Sequence, residues 1–357
     1  MSVDAVVDAV RRVVTKRAKL HAPSIGQAEI TTVVAAMRCA SVTHGPEVEM
    51  FEAGLAERTG CKHVVAVSCG TAALHVALLA AGVKPGDNVV VPAFTFVATA
   101  NAVMYCGGVP NFVDCDRYGN LDPQRLDDWL KDHHAGAVIG VHCFGHLCDV
   151  DGLADVCERH GVPLVEDASQ ALGAIKAVKG LLATLSFNGN KVITTGGGGA
   201  VLTDDAALAE RVRSLANVSK VQMPHSFWHS EVGFNYRMPN VNAAIGCAQL
   251  WRLDDLLANK QRLASAYVEA FDGCKDACML PSCRPTNHWL NAIELRDGSM
   301  RHGVISRLDG LGLESRLSWT PLHHLPMYRA SPRDGLETTM KLASSIVNVP
   351  SGTGIVE

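Results

Sequence analysis

Short runs of apolar residues alternate with helical patterns through most of the chain, and no other feature constrains the fold as strongly. Each run is short enough for a buried strand, and helical spacing of apolar residues recurs between the runs. Apolar strands that alternate with helices are typical of a largely parallel α/β sheet. The sequence therefore predicts an α/β fold. The predicted strands span residues 64–67, 89–91, 109–113, 137–141, 162–165, 185–187 and 200–203.

Polar and aromatic residues follow several of these strands, at the edge where parallel sheets bind ligands. Gly70 and Thr71 begin a predicted helix, whose free N–H groups suit a phosphate, although Ser68 or Thr71 could simply cap the helix. Phe96 could lie flat on a ring or belong to the core. Asp167 could keep a pyridine nitrogen protonated or cap the next helix. All of these positions converge on one edge of the sheet.

A single lysine, Lys191, lies between a predicted strand and four consecutive glycines, Gly196 to Gly199. Glycine lets another backbone or a ligand approach closely. A lysine held in such a place can lose its hydration, and the lowered pKa lets its amine attack a carbonyl to form a Schiff base. The alternative is an exposed lysine in a flexible glycine loop.

Composition excludes several other classes of protein. At 357 residues the chain is long enough for a large domain and a smaller one. A net charge of −4 and a pI near 6.4 give no support for nucleic-acid binding. No apolar run is long enough to span a membrane, and the first residues form an amphipathic pattern rather than a signal peptide. Twelve cysteines without such a signal indicate reduced thiols and a cytoplasmic location.

Helical patterns predict the organisation of the rest of the chain. An N-terminal helix spans 3–19, and the residues from 224 to 231 form an aromatic, histidine-bearing loop. We expect three parts. They are an N-terminal helix extension at 1–24, a large domain at 25–253 and a small C-terminal domain at 254–357.

Five motifs in this order resemble the DegT/StrS-type family of pyridoxal-phosphate-dependent nucleotide-sugar aminotransferases, from about Pro23 to Pro350. The resemblance implies the fold type I architecture of PLP-dependent transferases, with a mainly parallel large domain and a smaller α+β domain. The sequence of one motif, Ser-Phe-Asn-Gly-Asn-Lys, is most similar to that of the branch that acts on UDP-linked 4-keto-6-deoxy-N-acetylhexosamines. This branch belongs to the bacillosamine and legionaminic acid pathways of polysaccharide biosynthesis. The motifs are Ser-Cys-Gly-Thr-Ala-Ala-Leu (68–74), Pro-Ala-Phe-Thr-Phe-Val-Ala-Thr (92–99), Glu-Asp-Ala-Ser-Gln-Ala-Leu-Gly (166–173), Ser-Phe-Asn-Gly-Asn-Lys (186–191) and Gly-Phe-Asn-Tyr-Arg-Met (233–238).

The resemblance also implies roles for individual residues. Lys191 would form the Schiff base with pyridoxal 5'-phosphate, and Asp167 would face the pyridine nitrogen; these are the two implied catalytic residues. Asn235 would reach the cofactor from the second subunit of a homodimer that shares its active sites. The other implied cofactor contacts are Gly70, Thr71, Ala72 and Ser186 at the phosphate, Phe96 on the ring and Gln170 at the ring hydroxyl. The implied substrate contacts are Asn188 and His323.

The implied reaction moves an amino group from glutamate to the C4 keto group of a nucleotide-linked 4-keto-6-deoxy sugar. Relatives that remove a hydroxyl group instead carry histidine at the position of Lys191. The segment 171–185 is shorter than in relatives, and the chain stops where relatives add a last helix. A weakly active or inactive cofactor-binding relative, with a sensing or scaffolding role, is therefore the alternative.

Two groups of cysteines and histidines raise the question of a metal site. The first spans 142–148 and the second spans 274–288. Neither group has the paired Cys-x-x-Cys spacing of common zinc sites. We therefore expect no metal.

Overall fold

A computed structural model describes residues 2–355 of the chain. The strands are β1 (His63–Val67), β2 (Asn88–Pro92), β3 (Val109–Val113), β4 (Ala137–Val141), β5 (Leu164–Asp167), β6 (Leu182–Ser186), β7 (Gly199–Thr203), β8 (Lys220–Met223), β9 (Ser226–His229), β10 (Ala277–Met279), β11 (Asn291–Leu295), β12 (Arg316–Leu317) and β13 (Ile346–Val349). The helices are α1 (Val3–Val13), α2 (Gln27–Arg38), α3 (Pro46–Thr59), α4 (Gly70–Ala80), α5 (Ala98–Tyr105), α6 (Pro123–Asp132), α7 (Val150–His160), α8 (Ala206–Ala216), α9 (Asn240–Trp251), α10 (Leu253–Phe271), α11 (Arg301–Gly310) and α12 (Glu337–Ser345).

The larger sheet has seven strands in the order β1-β7-β6-β5-β4-β2-β3. Strand β7 runs antiparallel to its neighbours β1 and β6, and the other pairs are parallel. Every residue of β4 is buried, which is typical of a parallel strand with both faces covered by other elements. The predicted α/β fold with a mainly parallel sheet is confirmed.

The smaller sheet is antiparallel, with four strands in the order β10-β11-β13-β12. It shares a hydrophobic core with α1, α10 and α11, to which Val10, Tyr267, Ile293 and Val304 contribute. The N-terminal helix is thus packed into the same layer as the last third of the chain. The expected domain boundary at 253/254 stays a prediction.

Two predicted elements differ from the structure. The helix expected over 3–19 ends at Val13, and the chain then runs alongside the segment between α11 and β12, where the Ala18 N–H donates to Gly312 O at 3.0 Å. This long-range pairing outweighs the helical preference of the basic residues before it. The segment 224–231, expected to be a loop, contributes to the antiparallel hairpin of β8 and β9.

All twelve cysteines are free in the structure, and the cytoplasmic location stays a prediction. Between residues 2 and 355, no helix combines the length and apolar character that a membrane crossing would need.

Candidate active site

A cavity of about 370 Å³ lies beyond the carboxyl ends of the parallel strands, with residues of the smaller sheet on its other side. It brings together most of the residues that the sequence singled out, from four separate stretches of chain. The predicted residues that line it are Gly70, Thr71, Phe96, Asp167, Gln170, Ser186, Asn188 and Lys191.

The start of α4 forms one end of this cavity. Cys69 caps the helix, because its Sγ accepts the N–H of Ala72 at 3.3 Å, so the capping residue is one that the sequence analysis did not consider. A Cβ on Gly70 would lie 2.7 Å from the Cβ of Ser186, so only glycine lets the helix start approach β6 this closely. The result is a helix N-terminus with the Thr71 side chain beside it, a suitable place for a phosphate.

The hairpin between β6 and β7 carries Lys191 to the cavity. The loop is fixed by internal hydrogen bonds, in which the Lys191 N–H donates to Asn188 O at 2.9 Å and the Thr195 N–H donates to Phe187 O at 3.0 Å. Asn242, from α9, donates its side-chain amide to Thr195 O at 2.7 Å. These bonds hold the loop that carries Lys191 in a defined conformation rather than leaving it flexible.

The amine of Lys191 lies in an environment that disfavours its charge. Burial lowers the pKa of Lys191 from 10.5 to about 8, although the negative charge of Asp167 opposes part of this shift. The Nζ atom lies 4.0 Å from the centre of the Trp289 ring, and Trp289 donates its Nε1–H to Asn190 O at 2.6 Å. A substantial fraction of this lysine is therefore a neutral nucleophile near pH 8.

Asp167 is the last residue of β5 and is almost fully buried. Its Oδ2 accepts the hydroxyl of Thr99 at 2.8 Å, and its Oδ1 accepts the N–H of Ser169 at 3.1 Å. These two donors, from different elements, fix the orientation of the carboxylate at the wall of the cavity. The sequence analysis did not identify Thr99, which is completely buried.

Gln170 is also fixed by two hydrogen bonds, one to its side chain and one to its backbone. Its Oε1 accepts the N–H of Phe144 at 2.7 Å, and its backbone carbonyl accepts the Asn287 side-chain amide at 2.8 Å. Because the carbonyl end of the side chain is occupied, the NH₂ end is the donor that remains for a ligand in the cavity.

Three predicted residues do not line the cavity. Ala72 is buried within α4 with its N–H committed to Cys69. Asn235 is exposed, and His323 is half-buried with its ring against that of His324. Their assigned roles stay predictions, and the role of Asn235 in particular requires a second subunit.

Neither cysteine–histidine group assembles a metal site. Among residues 2–355, no three histidine, cysteine, aspartate or glutamate side chains come together in a way that could hold a metal ion. His142 instead lies with its Nε2 at 3.3 Å from Glu166 Oε2, in a pair that is almost fully buried.

The sequence analysis missed the side of the cavity that the N-terminal segment and the smaller sheet supply. No local motif marks these residues, because their strands are short and their neighbours are unremarkable in composition. They are His21, Trp289, Glu314, Arg316, Leu317, Trp319 and Asn348.

The DegT/DnrJ/EryC1/StrS aminotransferase family matches residues 23–357, which is nearly the whole chain. The chain belongs to this family. GDP-perosamine synthase of Caulobacter vibrioides is 39% identical over 318 residues, which are 86% of this chain and 85% of that protein. GDP-perosamine synthase of Vibrio cholerae is 35% identical over 330 residues, 88% of each chain.

A solved structure shows the same fold. Helicobacter pylori PseC, an aminotransferase involved in the biosynthesis of pseudoaminic acid, superposes with a TM-score of 0.89 over 94% of each chain at 22% identity. Together with the family match, these relatives confirm the predicted family and enzyme class. The protein is a sugar aminotransferase that uses pyridoxal phosphate.

Proposed function

We propose that the protein transfers an amino group from glutamate to the C4 keto group of a nucleotide-linked 4-keto-6-deoxy sugar. The observation that carries this proposal is the pairing of Lys191 and Asp167 across one cavity. The amine of the first has a pKa lowered to about 8, and the carboxylate of the second is held by two donors. A nucleophilic amine opposite an oriented carboxylate is what a pyridine aldehyde cofactor needs.

The cavity fits pyridoxal phosphate at three points. The start of α4 and Ser186 offer backbone and hydroxyl donors for the phosphate, at a place where a Cβ on Gly70 would leave no room. Asp167 offers a carboxylate for the ring nitrogen, and the NH₂ of Gln170 offers a donor for the ring hydroxyl. Phe96 is available to cover the ring.

When bound, the cofactor supplies an electron-withdrawing ring that stabilises a carbanion next to the transferred nitrogen. The residues of this chain position that chemistry and move its proton. Asp167 supplies a fixed negative charge opposite the ring nitrogen. Lys191 Nζ, half-buried and neutral in a large fraction near pH 8, would move a proton from the substrate carbon that bears the transferred nitrogen to a carbon of the cofactor. The Trp289 ring lies against this amine, with its centre 4.0 Å from Nζ.

The proposal also concerns which nucleotide is attached to the sugar. The Ser-Phe-Asn-Gly-Asn-Lys motif favours a UDP-linked sugar of the kind used for legionaminic acid. Two relatives at 35% and 39% identity, however, are named for a GDP-linked product. We therefore include both nucleotides in the proposed substrate class and let the assay choose between them.

A homodimer with shared active sites is part of the same proposal. The side chains of Phe227, Trp228 and Val232 are 60%, 65% and 83% exposed on and beside the β8–β9 hairpin. Exposed apolar residues in such number are common at protein interfaces. Asn235 follows this hairpin, so a second subunit that covers the hairpin could receive Asn235 in its cavity. Asn235→Ala should then weaken cofactor retention, and unchanged retention would argue against a shared site.

The test of the proposed function is a panel of GDP-linked and UDP-linked 4-keto-6-deoxy sugars, each incubated with the cofactor-loaded enzyme and glutamate. Product mass should show gain of an amine in place of a keto oxygen. Lys191→Ala should abolish this product, whereas Lys176→Ala, which changes an exposed lysine, should not. Equal turnover by the wild type and Lys191→Ala would contradict the mechanism. A protein that binds cofactor but forms no amine from any sugar would favour a sensing or scaffolding role.

A further inference from the structure

We propose that Arg316 and Asn348 form a subsite that binds a carboxylate of the amino donor. The subsite lies on the side of the cavity formed by the smaller sheet, away from the expected phosphate position at the start of α4. The inference rests on the proposed function, because an amino-acid donor brings a carboxylate into the same cavity.

The side chain of Asn348 is the first observation. Asn348 is only 4% exposed and lines the cavity, yet its Nδ2 has no hydrogen-bond partner within the part of the chain that the structure describes. A buried amide N–H₂ without an acceptor is unfavourable, and such groups in folded proteins usually have a partner. The unpartnered donor therefore indicates a ligand that carries an acceptor oxygen.

Arg316 lies directly opposite Asn348 in the antiparallel register of β12 and β13. Residues opposite each other in such a pair project from the same face of the sheet, so guanidinium and amide are neighbours. Of the described residues that line the cavity, Lys191 and Arg316 are the only lysine or arginine side chains. Because Lys191 is committed to the cofactor, Arg316 is the permanent cation left for an anionic substrate group. Its planar fork matches a carboxylate.

The local charge favours a carboxylate over a diphosphate. Glu314, which also lines the cavity, pairs with Arg316 at 2.7 Å and offsets much of its positive charge. A group with a single negative charge meets less repulsion from Glu314 than a diphosphate would. The donor's carboxylate therefore fits this subsite better than the nucleotide does.

His21 adds a second unpartnered polar group on the same wall. Both of its ring nitrogens are buried without a hydrogen-bond partner in the described chain. Burial lowers the pKa of His21 to about 2, so the ring is neutral. Its single N–H can donate to the donor molecule next to Asn348.

The kinetic test uses the half-reaction with glutamate alone. Cofactor-loaded enzyme is mixed with increasing glutamate, and the release of 2-oxoglutarate is followed without any sugar. Arg316→Gln and Asn348→Leu should each raise the half-saturating glutamate concentration about tenfold or more, because each removes one carboxylate contact. Arg307→Gln, which changes an equally exposed arginine on α11, should leave it unchanged. Asn348→Leu should be at least as stable as the wild type, since it replaces an unsatisfied amide with an apolar group of similar shape.

Binding supplies an independent readout. Calorimetry with glutarate, a dicarboxylate that cannot react, should show the same loss of affinity in Arg316→Gln and Asn348→Leu. Binding of GDP or UDP should be unchanged. Unchanged glutarate binding in both variants, or loss of nucleotide binding alone, would overturn the subsite. If the wild type releases no 2-oxoglutarate but glutarate binding still depends on both residues, the transamination proposal fails and the carboxylate subsite stands.

Discussion

Replacing Thr99 with valine removes one of the two hydrogen bonds that hold the Asp167 carboxylate. The Thr99 hydroxyl donates to Asp167 Oδ2 at 2.8 Å, and both side chains are almost fully buried at the wall of the cavity. Valine has nearly the shape of threonine, and the packing at the start of α5 should survive. The change therefore tests the hydrogen bond alone.

The size of the effect follows from the charge of the acceptor. A hydrogen bond to a charged group contributes about 1.5–3 kcal/mol, compared with about 0.5–1.5 kcal/mol for a neutral pair. Thr99→Val should lower the free energy of unfolding by about 1.5–3 kcal/mol. If the transition state loses this same free energy when Asp167 is less well oriented, kcat falls about ten- to hundredfold.

Thr95 supplies the matched control. Its hydroxyl is also completely buried, but its Oγ1 contacts the Thr99 hydroxyl at 3.4 Å rather than Asp167. Urea titration and steady-state kinetics should therefore show a small loss of stability for Thr95→Val and nearly normal kcat. Equal losses of kcat in the two variants, or full activity in Thr99→Val, would refute the idea that this hydroxyl orients the catalytic carboxylate.

Three further predictions concern residues in and near the cavity. In cofactor-free protein, the rate at which Lys191 is acylated should rise with pH and reach half its maximum at about pH 8, because burial disfavours the ammonium form. A half-maximal rate near pH 10.5, the ordinary pKa of lysine, would contradict this prediction. Gly70→Ala should weaken cofactor binding about tenfold or more because its methyl would lie 2.7 Å from Ser186, whereas Gly189→Ala, which enters open space, should bind normally in the same titration. Lys260 is completely buried, and burial lowers its pKa well below 10.5, so the folded chain binds this proton more weakly than the unfolded chain does. Wild-type stability relative to Lys260→Met should therefore rise with pH, by at most about 1.4 kcal/mol per pH unit, and level off above about 10.4. If the difference in stability between the wild type and Lys260→Met did not vary with pH, Lys260 would keep its proton in the folded protein.

The sequence predicted the larger sheet well because its strands are buried on both faces and so appear as continuous apolar runs, as at 137–141. The smaller sheet was harder. Strand β12 has two residues, and Asn348 interrupts the apolar pattern of β13. The sequence predicts a loop over 224–231 because this segment is rich in histidine and aromatic side chains, whereas the structure pairs part of it in the β8–β9 hairpin. Local composition does not indicate pairing of this kind.

The site was predictable where its residues belong to local patterns. Lys191 precedes a run of glycines, and Asp167 ends an apolar strand, so each could be identified from its neighbours. Thr99 had a usable signal, since it is a polar residue in the first turn of α5, which follows β2. Asn348 had none, because only the folded chain brings its strand to the cavity.

The smaller sheet contributes to the chemistry as well as to recognition. Lys260, on α10, donates to the carbonyl oxygens of Trp289 and Ser351 and so holds the chain just before β11 in place. Trp289 in turn lies over the Lys191 amine at 4.0 Å. Burial lowers the pKa of Lys191 to about 8, and the Trp289 ring is one of the groups packed against its amine. An account limited to the parallel sheet would therefore describe only part of the surroundings of the reactive amine.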